Sequence, residues 1–142
     1  MLNIHPILAH FPFVLLFVAV VAEIWGILGN PAASKFSRTI VMIACAASAL
    51  TYLSGYVGLE YANQSFEVPK EAISKHQLMG KLYLLSLVPT ALFALLQIDN
   101  DARFVINAGR LFLLLSFALV LVASFYGGEL VFRYGAGISI QQ

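Results

Sequence analysis

The sequence predicts an all-α fold, an integral membrane bundle of four helices, and three observations carry that prediction. Apolar residues make up 61% of the 142-residue chain and charged residues only 11%, against about 25% charged in a soluble domain. The mean hydropathy is +0.88. Four apolar stretches each approach the roughly 20 residues that cross a hydrocarbon core, and the connections between them hold most of the charge.

The first stretch runs from Phe11 to Leu28 and contains one acid, Glu23; the second, Thr39 to Leu59, has no charge. The third, Leu82 to Ile98, extends back through Lys81 to His76, and the fourth is Leu111 to Tyr126. With their flanks these give one domain, 1–142, with helices over 7–28, 38–59, 76–98 and 106–127. Met1-Leu2-Asn3-Ile4-His5 lacks the basic region of a signal peptide, so the first stretch is read as a retained helix. Pro6 and Pro12 each suit a first helical position; a start at Pro6 leaves Pro12 inside, as a kink.

Gly29-Asn30-Pro31 reads as a helix stop and turn. The connection Glu60 to Lys75 is the longest and most polar, and Pro69 with Glu71 reads as a short helix start. The third connection, Asp99 to Arg110, holds Asp99-Asn100-Asp101. Four spans put both termini and the second connection on one side. Basic residues tie between the sides, with Lys35, Arg38, Arg103 and Arg110 facing Lys70, Lys75, Lys81 and Arg133. The two bases and no acid of the first connection place the termini on the outer face of a bacterial inner membrane.

The halves repeat in outline: histidine, helix, turn, helix, then Ser54-Gly55-Tyr56-Val57-Gly58 in one and Ser124-Phe125-Tyr126-Gly127-Gly128 in the other. Aligned through Tyr-x-Gly, they read as two hairpins related by an axis along the membrane normal, with the Tyr-x-Gly step ending each even helix. Net charge is +1 with no basic run, which excludes nucleic acid as a partner. The single Cys45 forms no internal disulfide and is read as helix packing.

His5, His10 and His76 all fall at one face. Intramembrane ionisable groups are costly and mark function, and neutral imidazole is a common metal ligand. Two imidazoles on facing helices suit haem b, with His10 and His76 as axial ligands. His5 is then the alternative ligand to His10, or a partner of the haem carboxylates. Lys75, Lys81 and Arg133 lie on the correct side for those carboxylates. Gly80, one turn from His76, together with Gly55, Gly58, Gly127 and Gly128, offers clearance for a macrocycle. Phe11, Tyr56 and Tyr126 offer walls. Close helix packing explains the same glycines, and Met79 reads as core.

Three converging imidazoles suit copper, zinc or iron without haem instead, although His-Glu-x-x-His is absent. A third reading makes the chain a small structural subunit of a larger respiratory-type complex, with interfacial histidines. Glu23 lies about 20 Å below His10, beside Trp25, where it reaches water or serves a proton path. No nucleophile–base pair marks an enzyme acting alone.

His5-Pro6-Ile7-Leu8-Ala9-His10-Phe11-Pro12, Ser54-Gly55-Tyr56, His76-Gln77-Leu78-Met79-Gly80 and Tyr126-Gly127-Gly128-Glu129-Leu130-Val131-Phe132 resemble, over essentially the whole chain, the bacterial membrane proteins called domain of unknown function 2231. The family's characteristic positions fall on His5, Pro6, His10, Phe11, Pro12, Gly55, His76, Gly80, Tyr126, Gly127, Gly128 and Val131. Some relatives carry fused Rieske-type or c-type cytochrome domains, so the resemblance implies an electron-transfer setting. This chain has no Cys-x-x-Cys-His, so its redox partner is expected to be a separate protein or complex, with quinol as a second candidate. Oligomeric state stays open, a homo-oligomer included.

Overall fold

A computed structural model describes residues 4–59, 62, 66–98 and 100–138; Glu60 and Asp99 of the connections above lie outside them. The described residues form helices α1 (His5–Leu8), α2 (His10–Ile27), α3 (Pro31–Gly58), α4 (Lys70–Leu96) and α5 (Arg103–Phe132) and contain no strand. Helices α1 and α2 make one span, so four spans are long and apolar enough to cross a bilayer: His5–Ile27, Pro31–Gly58, Lys70–Leu96 and Arg103–Phe132.

The joint between α1 and α2 falls at Ala9, whose backbone stays right-handed helical and whose N–H still bonds the His5 carbonyl. Pro12 lies inside α2. Lacking an N–H, it cannot bond the Leu8 carbonyl one turn back. The Thr51 hydroxyl of α3 donates to that carbonyl at 3.0 Å instead.

Three helices are longer than the sequence reading. Gly29 takes the left-handed conformation (φ +110°) that glycine accommodates. The Asn30 side chain then accepts from Ala32 N and Ala33 N, so α3 starts at Pro31 rather than 38. Pro69 caps α4 with Glu71 in its first turn, which merges the expected short helix into the span. Helix α5 continues through Gly127-Gly128 to Phe132, so the Tyr-x-Gly step does not end it. Glycine interrupts helices less readily where neighbouring helices satisfy the backbone.

The long helices form a ring in which α2 packs on α3, α3 on α4, α4 on α5 and α5 on α2, while α1 packs on α2 and α3. The core contains Leu16, Ala19, Val41, Ala44, Leu87, Leu113 and Val120, with Cys45 packed partly buried against it. Large apolar side chains such as Val14, Phe17, Leu53, Leu85, Leu92, Leu111 and Leu114 face outward. An exterior as apolar as the interior suits lipid, and small residues fill the contacts between helices.

The two hairpins share one burial register. At a fixed offset, Pro12 pairs with Tyr83, Leu16 with Leu87, Ala19 with Thr90 and Glu23 with Ala94, all buried. At an offset one residue longer, Ser37 pairs with Gly109, Val41 with Leu113, Ala44 with Ser116 and Ser48 with Val120, again all buried. This supports a repeat relating α2–α3 to α4–α5. It also gives the register of that repeat: Gly55 matches Gly127, so alignment through Tyr-x-Gly is out of step.

Candidate cofactor site between the hairpins

His5 and His76 occupy equivalent places in the two halves. The His5 imidazole lies against Gly55, where an added Cβ would be 3.2 Å from the ring Cε1. His76 lies against Gly127 in the same way, at 3.1 Å. His5 Nδ1–H donates to the Thr51 carbonyl at 3.1 Å, with the Ser54 hydroxyl at 2.9 Å. His76 Nδ1–H donates to the Ala123 carbonyl at 3.1 Å. Each acceptor lies one turn before the supporting glycine, so one local design holds both rings.

A carbonyl oxygen only accepts, so each contact puts the proton on Nδ1 and the ring lone pair on Nε2. Metal-binding histidines characteristically donate their other N–H in this way. The ring centres are 6.3 Å apart and the planes are inclined by 71°. Metal–imidazole bonds are about 2 Å long, so rings on opposite sides of one ion have centres roughly 6 Å apart. One imidazole comes from each hairpin, and the ring centres stand at about that spacing.

The pair lines an apolar cavity of ≈ 860 Å³, within the range of about 300–1,000 Å³ usual for ligand sites. Gly80 also lines it, and a Cβ there would meet nothing within 4 Å. At its base Tyr83 and Ser48 join hydroxyls at 2.6 Å. Among the described residues no group of three or more His, Cys, Asp or Glu is placed to hold a metal ion. Two imidazoles alone are too few for a structural or catalytic zinc site. They are enough for haem, whose macrocycle brings the remaining ligands, and the residues present fit that group.

With this geometry in view, a family model provides the comparison: the predicted membrane proteins DUF2231 match residues 1–139. The chain belongs to this family. No curated protein and no solved structure matches.

In this DUF2231 chain the remaining candidates divide. Gly55, Gly58, Gly127, Gly128, Tyr56 and Lys81 line the cavity, as does His10. His10 itself is exposed, and its Nδ1–H donates to the Pro6 carbonyl at 2.6 Å. Its counterpart at the repeat offset is Lys81, and the imidazole that meets His76 is that of His5. Gly55 and Gly127 line the cavity with the imidazoles of His5 and His76 lying against them. Lys75 is exposed and lies outside the lining. Arg133 is held by Glu129 at 2.7 Å, over the Tyr134 ring. Phe11 faces outward and Tyr126 lies off the lining, where Phe13 and Phe125 stand instead.

Sequence reasoning missed Thr51, Ser54 and the Ala123 carbonyl behind the imidazoles, together with the Ser48–Tyr83 pair. The signal for Thr51 and Ala123 was the turn preceding each glycine, once the halves are aligned in the correct register. Glu23 also differs from expectation. It is buried and accepts from Arg110 Nε at 2.8 Å across the α2–α5 contact. Arg38 beside it donates to the Gln97 carbonyl at 2.9 Å.

Proposed function

We propose that this chain is a b-type cytochrome-like electron-transfer protein, in which His5 and His76 would hold haem b. The observation that carries the reading is the opposition of these two imidazoles at 6.3 Å, one from each hairpin, with both Nδ1 atoms engaged by backbone carbonyls. Haem bound there supplies a one-electron iron couple. The protein's own residues do the rest. Thr51 and Ala123 fix the tautomers and raise the basicity of the rings. The apolar walls exclude water, which with the axial ligands tunes the potential.

This reading places the protein in a bacterial inner membrane with the histidine face outward. There it passes electrons between quinol or a membrane complex and a separate redox protein. A non-haem copper, zinc or iron module is less well supported, because among the described residues no three His, Cys, Asp or Glu come together to hold an ion and no carboxylate lines the cavity. Metal analysis and oxidised and reduced absorption spectra of the purified protein test the choice. A low-spin haem spectrum at one haem per chain is expected; bound metal without a Soret band overturns it.

A further inference from the structure

Among the described residues lining the cavity around the histidine pair, Lys81, whose side chain is exposed, is the one Asp, Glu, Lys or Arg. Among the described residues the ion pairs are Arg110–Glu23 and Arg133–Glu129, neither of which involves Lys81. Lys81 sits inside the third span, five residues past His76 and so about 7.5 Å further along the helix. A lysine placed inside a membrane span is costly, and such residues characteristically pair with an opposite charge. Its four-carbon stem packs along apolar surface while the ammonium seeks a polar partner.

Among the described residues no carboxylate pairs with it or lines the cavity, which leaves that place to a molecule bound there. The equivalent position of the first half is His10, whose Nδ1–H is already given to the Pro6 carbonyl. Lys81 is the one lysine or arginine among the described residues that line the cavity, and so the fixed cationic donor for an acidic group.

We infer that Lys81 anchors a carboxylate of the molecule bound in this cavity, which makes the cavity selective for acidic amphiphiles over their neutral esters. The identity of the ligand rests on the haem reading, in which the carboxylate is a propionate; the charge selectivity does not.

The test titrates apo-protein in uncharged detergent with ferric protohaem and with its dimethyl ester, followed by absorbance. A parallel series uses cis-parinaric acid and its methyl ester, followed by fluorescence. Wild type is expected to bind each acid about tenfold or more tighter than its ester. Lys81→Gln removes most of that preference and Lys81→Arg keeps it. Lys75→Gln, exposed and outside the lining, keeps it too. Equal binding of acid and ester in wild type, or a preference that survives Lys81→Gln, overturns the inference. If protohaem gives no histidine-ligated spectrum while parinaric acid keeps a Lys81-dependent preference, the haem reading fails and the Lys81 site stands. A histidine-ligated spectrum with acid and ester bound alike gives the reverse. Binding of neither series overturns both.

Discussion

The imidazoles of His5 and His76, one from each hairpin, meet edge-on with ring centres 6.3 Å apart and planes inclined by 71°. They reach that position by equivalent means, each backed by a glycine and tied to a carbonyl one turn earlier. Removing the backing space tests whether the seat matters. Gly55→Val and Gly127→Val each push branched carbon against an imidazole and are expected to lower haem occupancy about tenfold or more. Gly80→Ala meets open space, and the apo-protein should gain about 0.5–1 kcal/mol from the better helix former. Haem content and thermal unfolding in detergent read the two effects.

Thr51 makes two contacts across the bundle. Its carbonyl holds His5, while its hydroxyl bonds the Leu8 carbonyl that Pro12 leaves without a helical partner. Thr51→Val should cost about 1 kcal/mol. In a Pro12→Ala background the helical N–H returns, and the same substitution should cost clearly less. A double-mutant cycle measures that coupling.

Glu23 and Arg110 should respond unequally to loss of their partner. The Arg110 side chain is 33% exposed and the Glu23 side chain 11%, so the carboxylate is the more deeply buried partner. Arg110→Leu is expected to destabilise by about 3 kcal/mol, Glu23→Gln by less. The double substitution Glu23→Gln, Arg110→Gln should recover much of the loss. Unfolding temperatures of the three variants decide it.

Tyr83→Phe removes the interhelical hydrogen bond to Ser48, whose hydroxyl keeps the Ala44 carbonyl 2.6 Å away. Hydrogen bonds of this kind are worth about 0.6 kcal/mol on average in a membrane protein. A loss of that size is expected in unfolding experiments, with the helices intact.

The span count was legible because hydrocarbon demands long apolar runs, and the connections carry the charge that interrupts them. Helix ends were harder to read. Gly127-Gly128 resembles a stop, yet α5 passes through it, because the surrounding helices support the backbone. Asn30 and Pro31 carry a start signal that hydropathy alone sets later, since Lys35 and Arg38 obscure the apolar pattern. The three histidines stood out, but their pairing depended on register. Tyr-x-Gly is a local similarity, whereas the repeat is defined by what each position packs against. Once Gly55 is matched to Gly127, His5 falls opposite His76, and His10 corresponds to Lys81. The link from Glu23 to Arg110 needed the contact between the first and fourth spans, which no local pattern carries.

The central claim concerns which two histidines act together, and oxidised and dithionite-reduced spectra of wild type, His5→Ala, His76→Ala and His10→Ala address it directly. The account predicts a low-spin b-type spectrum in wild type, its loss in both His5→Ala and His76→Ala with membrane insertion retained, and its survival in His10→Ala. A normal spectrum in His5→Ala, with loss in His10→Ala, would contradict it.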